Sequence, residues 1–291
     1  MSQQLLDVII PGLVVGSIYG LVGMAFAIVY KATQVVNFAI GEVMMLVAYI
    51  AFTIQSAYAL DFGPLLLVTI GVSVAAGLLI ELLVVRPIQG QSLFTIVMST
   101  IGLAIVIRSL VAIIWGVLPQ PISLPATSHY VPVAGVGLSL AQIYTVIAFV
   151  VACILVGILF RYTRMGLHMR ATASSEKTAQ LIGINIRRVQ TVAWVASTIV
   201  AGIAGVMIAT IYNLGPDLYA FGLKSFPATI LGGLDAVIGS AIGGVVIGVV
   251  ENITGRFLGS TSKEIVGLLV IVFVLMVRPT GLFGQRKVSR P

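Results

Sequence analysis

The sequence predicts an all-α polytopic membrane protein with about eight to nine transmembrane helices, short and broken ones included. Three observations carry that prediction. Hydrophobic residues make up 59 % of the 291 residues and charged residues 9 %, with a mean hydropathy of +1.15, whereas a soluble domain holds about 25 % charged residues. Apolar runs of about 20 residues, the length that spans a bilayer, recur along the chain. Thirty-one glycines suit helices that approach closely inside a membrane. The net charge of +7 follows from placement, since six of the sixteen Lys and Arg lie in 161–188 and four from Arg278 onward. Bases are retained on the cytoplasmic side of membrane proteins. No basic stripe is interleaved with aromatics, which argues against a nucleic-acid surface.

Taken in order, residues 5–30 form the first span. The preceding MSQQLLD lacks the basic n-region of a signal peptide. Gly12, Gly16 and Gly20 recur every four residues, an advance of about 400° on a helix, and so form one groove for close helix approach. The more polar 31–42 leads into a second span, 43–57. A third, 62–85, closes at Arg86-Pro87, where Glu81 and Arg86 are expected to snorkel from a helix end. The fourth, 93–117, contains Arg108. Residues 118–137 carry Pro119, Pro121, Pro125 and Pro132 and suit an external loop. The fifth and sixth spans, 140–160 and 189–212, flank the basic loop 161–188. Cys153, the single cysteine, is expected to be a buried structural thiol. Beyond, 219–234 is short and broken by Pro227, 236–250 is Gly-rich, and 265–277 precedes a basic tail with Arg278, Arg286, Lys287 and Arg290.

Charge parity orders these pieces. If the basic loop and the tail are both cytoplasmic, the chain crosses an even number of times between them. Four crossings satisfy this when 219–234 counts as a short span, and they leave Lys224, Arg256 and Lys263 outside, partly offset by Asp217, Glu251 and Glu264. The total is nine, with the N-terminus outside and the C-terminus cytoplasmic. A re-entrant 219–234 is also physically allowed.

Inside the basic loop lies a short helix. Ser174 can cap it, Glu176 and Lys177 fall in its first turn, Ala179, Leu181 and Ile182 supply an apolar stripe, and Gly183 stops it. About eight residues make a helix of about 12 Å, marginal alone. Such an element persists when it docks, so the loop is expected to be a cytoplasmic handle for a partner.

Several motifs, in register over nearly the whole chain, give it a family resemblance. They are GLVVGSIYGLVGMAFAIVY from Gly12, VVNFAIGE from Val35, RATASSEKTAQLIGINIRRV from Arg170, AGIAGVM from Ala201, LGG with IGSAIGG between Leu231 and Gly244, and the Arg278-Pro279-Thr280-Gly281-Leu282 ending. Together they resemble the permease subunits of ATP-binding-cassette (ABC) importers for branched-chain amino acids, and within that family the shorter of the two permease types. The resemblance implies one transmembrane permease domain over 1–291 in a bacterial cytoplasmic membrane. Its partners would be a second, non-identical permease, two cytoplasmic ATPases that hold ATP and Mg, and an external substrate-binding protein. It implies that no cofactor is bound by this chain, which has no Walker A run. It also implies that Ser174, Glu176, Lys177, Ala179, Leu181, Ile182, Gly183 and Asn185 form the ATPase-coupling segment, a cytoplasmic coupling helix.

Asn37 and Glu42 are the transport-path candidates, because an amide or carboxylate at membrane depth faces a cavity or a polar partner. Glu42 alternatively pairs with Lys31 or Arg108. Arg108 is expected in a salt bridge inside the protein, and Asp235 after Gly232-Gly233 in a turn. Gly239, Gly243, Gly244 and Gly248 either pack helices or line a narrow path, and packing is the expectation adopted here. His129 and His168 lack spaced partners, so no metal site is expected. Nine acids and two histidines without a cluster argue against an intramembrane enzyme. The large basic handle argues against an ATPase-independent secondary transporter. Leucine-like amino acids are the expected solute; urea, short amides or aromatic acids are the alternative.

Overall fold

A helix that is apolar all round has no face to give to water and is buried. The first span is of this kind. The computed structural model describes residues 2–120, 122, 124, 129–133, 135–278 and 280–284. It places α1 (Ser2–Thr33) at the centre of the bundle, with 94 % of its apolar window buried. Around it the chain runs α2 (Ile40–Tyr58), α3 (Phe62–Ile80), a π-turn (Glu81–Val85), a 3-10 turn (Arg86–Ile88), α4 (Leu93–Trp115), a hairpin of β1 (Tyr130–Val133) and β2 (Val136–Ser139), and α5 (Leu140–Tyr162). Then follow α6 (Arg164–Ser174), α7 (Glu176–Leu181), α8 (Ile186–Tyr212), α9 (Tyr219–Gly232), α10 (Val237–Leu258) and α11 (Ser260–Val277).

The glycines singled out by spacing meet one another. A Cβ on Gly16 would lie 2.7 Å from Val245 Cα, and one on Gly12 3.0 Å from Val249 Cα. Gly244 faces the backbone of Gly20, and Gly248 that of Gly16. The α1 groove is therefore filled from within the chain, by α10. Gly239 and Gly243 point the other way, onto Gly232 and Ala228 of α9.

The bundle has two distinct ends. Lys31 Nζ donates to the Asp235 carbonyl (2.6 Å), which gathers the end of α1, the turn before α10 and the basic segment 161–188 at one end. Leu282 N–H donates to Leu231 O (2.8 Å), returning the chain after α11 to that same end. The opposite end holds the hairpin and a two-way backbone pairing of Gln120 with Leu214. The four helices after the basic loop thus run out and back twice.

Among the described residues, seven helices are long and apolar enough to cross a membrane. The expected nine crossings accordingly divide into these seven and two shorter pieces. At 14 residues α9 spans about 21 Å, and the apolar part of α11 is Ile265–Val277. The chain is a multi-pass membrane protein.

Three sequence expectations change. Pro227 does not break α9; it sits inside a continuous helix, as neighbouring helices permit in a membrane. Part of the expected external loop, where Val131, Val133, Val136 and Leu138 alternate about Gly135 (φ +87°), is a hairpin pairing Tyr130 with Ser139. Glu251 is not an external charge. It is buried within α10 and accepts a bond from Tyr19 Oη at 3.0 Å. Lys224, expected within the short span 219–234, does lie in α9, on its exposed face. Pro121, Pro125, Pro279, Arg286, Lys287 and Arg290 lie outside the described residues.

Candidate functional site: a polar junction and a basic handle

Two helices begin inside the bundle. After α1 the chain turns at Gln34 (φ +58°), and residues 35–39 lead inward before α2 starts. After α8 it turns at Asn213 (φ +70°), and α9 starts only at Tyr219. These two starts touch directly: a Cβ on Gly41 would lie 2.5 Å from Tyr219 O, and one on Gly222 2.5 Å from Gly41 Cα. Sequence reasoning missed Gly41 and Gly222, because neither has a second glycine four residues away to make a pattern.

Glu42 follows Gly41 in the first turn of α2, where the positive end of the helix dipole favours a carboxylate. It is 4 % exposed. Its Oε1 accepts from Arg108 Nη2 at 2.5 Å, so of the partners foreseen for it the structure selects Arg108. The guanidinium also lies over the Tyr219 ring, 3.5 Å from its centroid, an attractive placement for a cation. The Arg108 side chain is 43 % exposed, so the pair is sealed on the Glu42 side and open on the other. Lys31 instead binds the Asp235 carbonyl, in the turn expected after Gly232-Gly233.

The pair is one rung of a polar ladder between α2 and α4. Phe38 N–H donates to Thr100 Oγ1 at 3.3 Å, and Trp115 Nε1 donates to Thr53 Oγ1 at 2.7 Å. Between them Tyr49, seven residues after Glu42 and on the same face, packs on Trp115 with ring centroids 5.4 Å apart. Among the described residues Arg108 Nε and Tyr49 Oη are buried with no hydrogen-bond partner. Ser73 Oγ in α3 and Trp194 Nε1 in α8 are likewise without a partner among the described residues. Asn37 is buried too, but its Oδ1 accepts from Ala39 N–H at 3.0 Å and so turns the chain into α2. Among the described residues no group of three His, Cys, Asp or Glu could hold a metal ion.

The basic loop folds into two helices, not one. Thr163 caps α6, its Oγ1 accepting from Gly166 N–H at 3.1 Å, and Gly166 packs on the backbone of Leu159 and Phe160. Ser174 is therefore the last residue of α6, not a cap. Ser175, in an extended conformation, caps the six-residue α7 by accepting from Thr178 N–H at 3.3 Å. Gly183 (φ +84°) ends the turn, donating to Gln180 O, and Asn185 caps α8 through Arg188 N–H. Glu176 and Lys177 are exposed. The three apolar residues do not form one stripe. Ala179 is buried beneath α7, while Leu181 and Ile182 stand out at 87 % and 69 % exposure.

Comparison with known proteins places this architecture. A family model described as branched-chain amino acid transport system / permease component matches residues 8–277. The high-affinity branched-chain amino acid transport system permease protein LivH of Escherichia coli is 30 % identical over 309 aligned positions, covering all of both chains. The corresponding protein BraD of Pseudomonas aeruginosa is 29 % identical, over 98 % of this chain and 97 % of that one. A probable LivH permease of Methanocaldococcus jannaschii is 26 % identical over 91 % of this chain and 88 % of its own. A match of that extent, on a bundle of apolar helices with two starting inside it, identifies the chain as a member of the branched-chain amino acid transport permease family.

Proposed function

We propose that the chain is one of two non-identical permeases of an ATP-driven importer that moves leucine-, isoleucine- and valine-like amino acids inward by alternating access. An external binding protein delivers the solute. Two cytoplasmic ATPases hold ATP and Mg and dock on residues 175–185, within the handle 161–188, so that this end is cytoplasmic, the N-terminus is outside and the membrane is the bacterial cytoplasmic one. The observation that carries the coupling part is Leu181 and Ile182, held out together by a helix capped at Ser175 and stopped at Gly183. A rigid, capped element with an apolar tip can pass a partner's closure into α8, which begins two residues after Ile184. The Glu42–Arg108–Tyr219 junction supports the path. A charged pair at membrane depth that is open on one side faces a cavity or a partner rather than lipid.

The test is uptake of radiolabelled leucine by vesicles holding the permeases, both ATPases and the binding protein, for wild type and Leu181→Asp. An aspartate at the tip buries an unpaired carboxylate in the docking contact. Insertion should be normal, uptake lost, and ATP hydrolysis unresponsive to loaded binding protein. Normal uptake with normal stimulation would sink the coupling assignment, and no leucine uptake by wild type would sink the importer reading.

A further inference from the structure

Neither the junction nor the handle accounts for Glu81, the most completely buried acid among the described residues, at 0 % exposure. Both its carboxylate oxygens accept from Arg86, at 3.2 Å from Nε and 3.0 Å from Nη2, while the Arg86 side chain is 39 % exposed. The expected snorkelling is overturned for Glu81, and the reason is local geometry. Five residues along an α-helix advance about 500°, which leaves two side chains about 140° apart. Here the backbone widens into a π-turn in which Arg86 N–H donates to Glu81 O, and the i→i+5 pattern brings the two side chains together. Pro87 helps to impose the wide turn. It has no N–H to give and in an α-helix its ring would strike the Leu83 carbonyl.

The turn so fixed is tied to α8. Gln89 Nε2 donates to Gln190 Oε1, five residues after the Asn185 cap. Just above, α3 lies on α8 with little between them: a Cβ on Gly77 would be 3.0 Å from Val195 Cα, and Gly202 faces Ser73. From the other side of the turn α4 rises directly, capped by Ser92, and carries Arg108. We infer that Glu81 and Arg86 are positioning residues for transport, a clamp that holds the α3–α4 turn on the first turns of α8. A shift arriving through residues 175–185 then reaches Arg108 through one rigid body. The inference rests on the proposed coupling role of the handle, but its mechanical part does not.

The mechanical part is tested in native membranes by replacing Gln89→Cys and Gln190→Cys in a Cys153→Ser background and measuring the yield with a short thiol-reactive cross-linker. High yield is expected with Glu81 and Arg86 present, and a marked fall when both become glutamine, a neutral pair that leaves no lone buried charge. Equal yields would overturn the clamp. In the reconstituted complex, the Glu81→Gln/Arg86→Gln pair should insert at normal abundance and keep stimulated ATP hydrolysis. Leucine moved per ATP should fall roughly tenfold, within the usual range of a coupling free energy. An unchanged ratio would also overturn the clamp, and so would parallel loss of abundance and hydrolysis, which marks a purely structural pair. Absence of uptake in wild type would fail the importer reading alone, with the cross-linking yield still deciding the clamp.

Discussion

Between α1 and α10 the chain removes side chains until backbones touch: Gly16 meets Val245, Gly20 meets Gly244, and Gly248 closes on Gly16. Between α2, α4 and α9 it does the reverse, bringing a carboxylate, a guanidinium and a phenol together. Lipid offers no hydrophobic gain for bringing helices together, so close van der Waals contact must hold the first seam. The second carries polar groups that a static fold seldom retains without a cavity or a partner. On the proposed function, the first seam is scaffold and the second handles solute, and substitutions should separate them.

The largest effect is expected for Arg108→Leu, which strands Glu42 as a buried unpaired carboxylate. Breaking such a pair costs about 3–5 kcal/mol, seen as lost folded protein in detergent. Adding Glu42→Gln should restore much of that loss, and its failure to do so would mean that Arg108 supports the fold by some other contact. Next comes Gly16→Leu, where overpacking costs about 1–3 kcal/mol and more when backbone cannot move. Membrane insertion should persist while the folded, monodisperse fraction collapses; a wild-type yield would show that the seam tolerates separation. The smallest effect is expected for Asn37→Ala, which removes one bond to Ala39 N–H and should cost about 1 kcal/mol, read as a small drop in melting temperature.

What was legible in the sequence was whatever obeys helical periodicity. Glycines at spacing four found their seam, apolar runs found the long spans, and Gly183 with its positive φ marked the stop of α7. What stayed hidden departs from that periodicity or depends on distant chain. The Glu81–Arg86 pair is invisible to a 3.6-residue rule because it needs a π-turn. Ser174 closes α6 (Arg164–Ser174), a helix with no strong apolar stripe to announce it, so the cap of α7 falls one residue later, at Ser175. Glu251 reads as a loop charge until Tyr19, 232 residues away, is brought beside it. The choice between Lys31 and Arg108 for Glu42 likewise needed α4 to be placed against α2.

The division between scaffold and path rests most heavily on Glu42. In Glu42→Gln the amide can still accept from Arg108, so the fold and the amount of inserted protein should hold while the charge at the junction is lost. Leucine uptake per molecule of inserted permease should then fall by tenfold or more, equivalent to about 1.4 kcal/mol on the transport barrier for each factor of ten. Uptake unchanged at matched abundance would make Glu42 a packing residue and the junction a second scaffold seam.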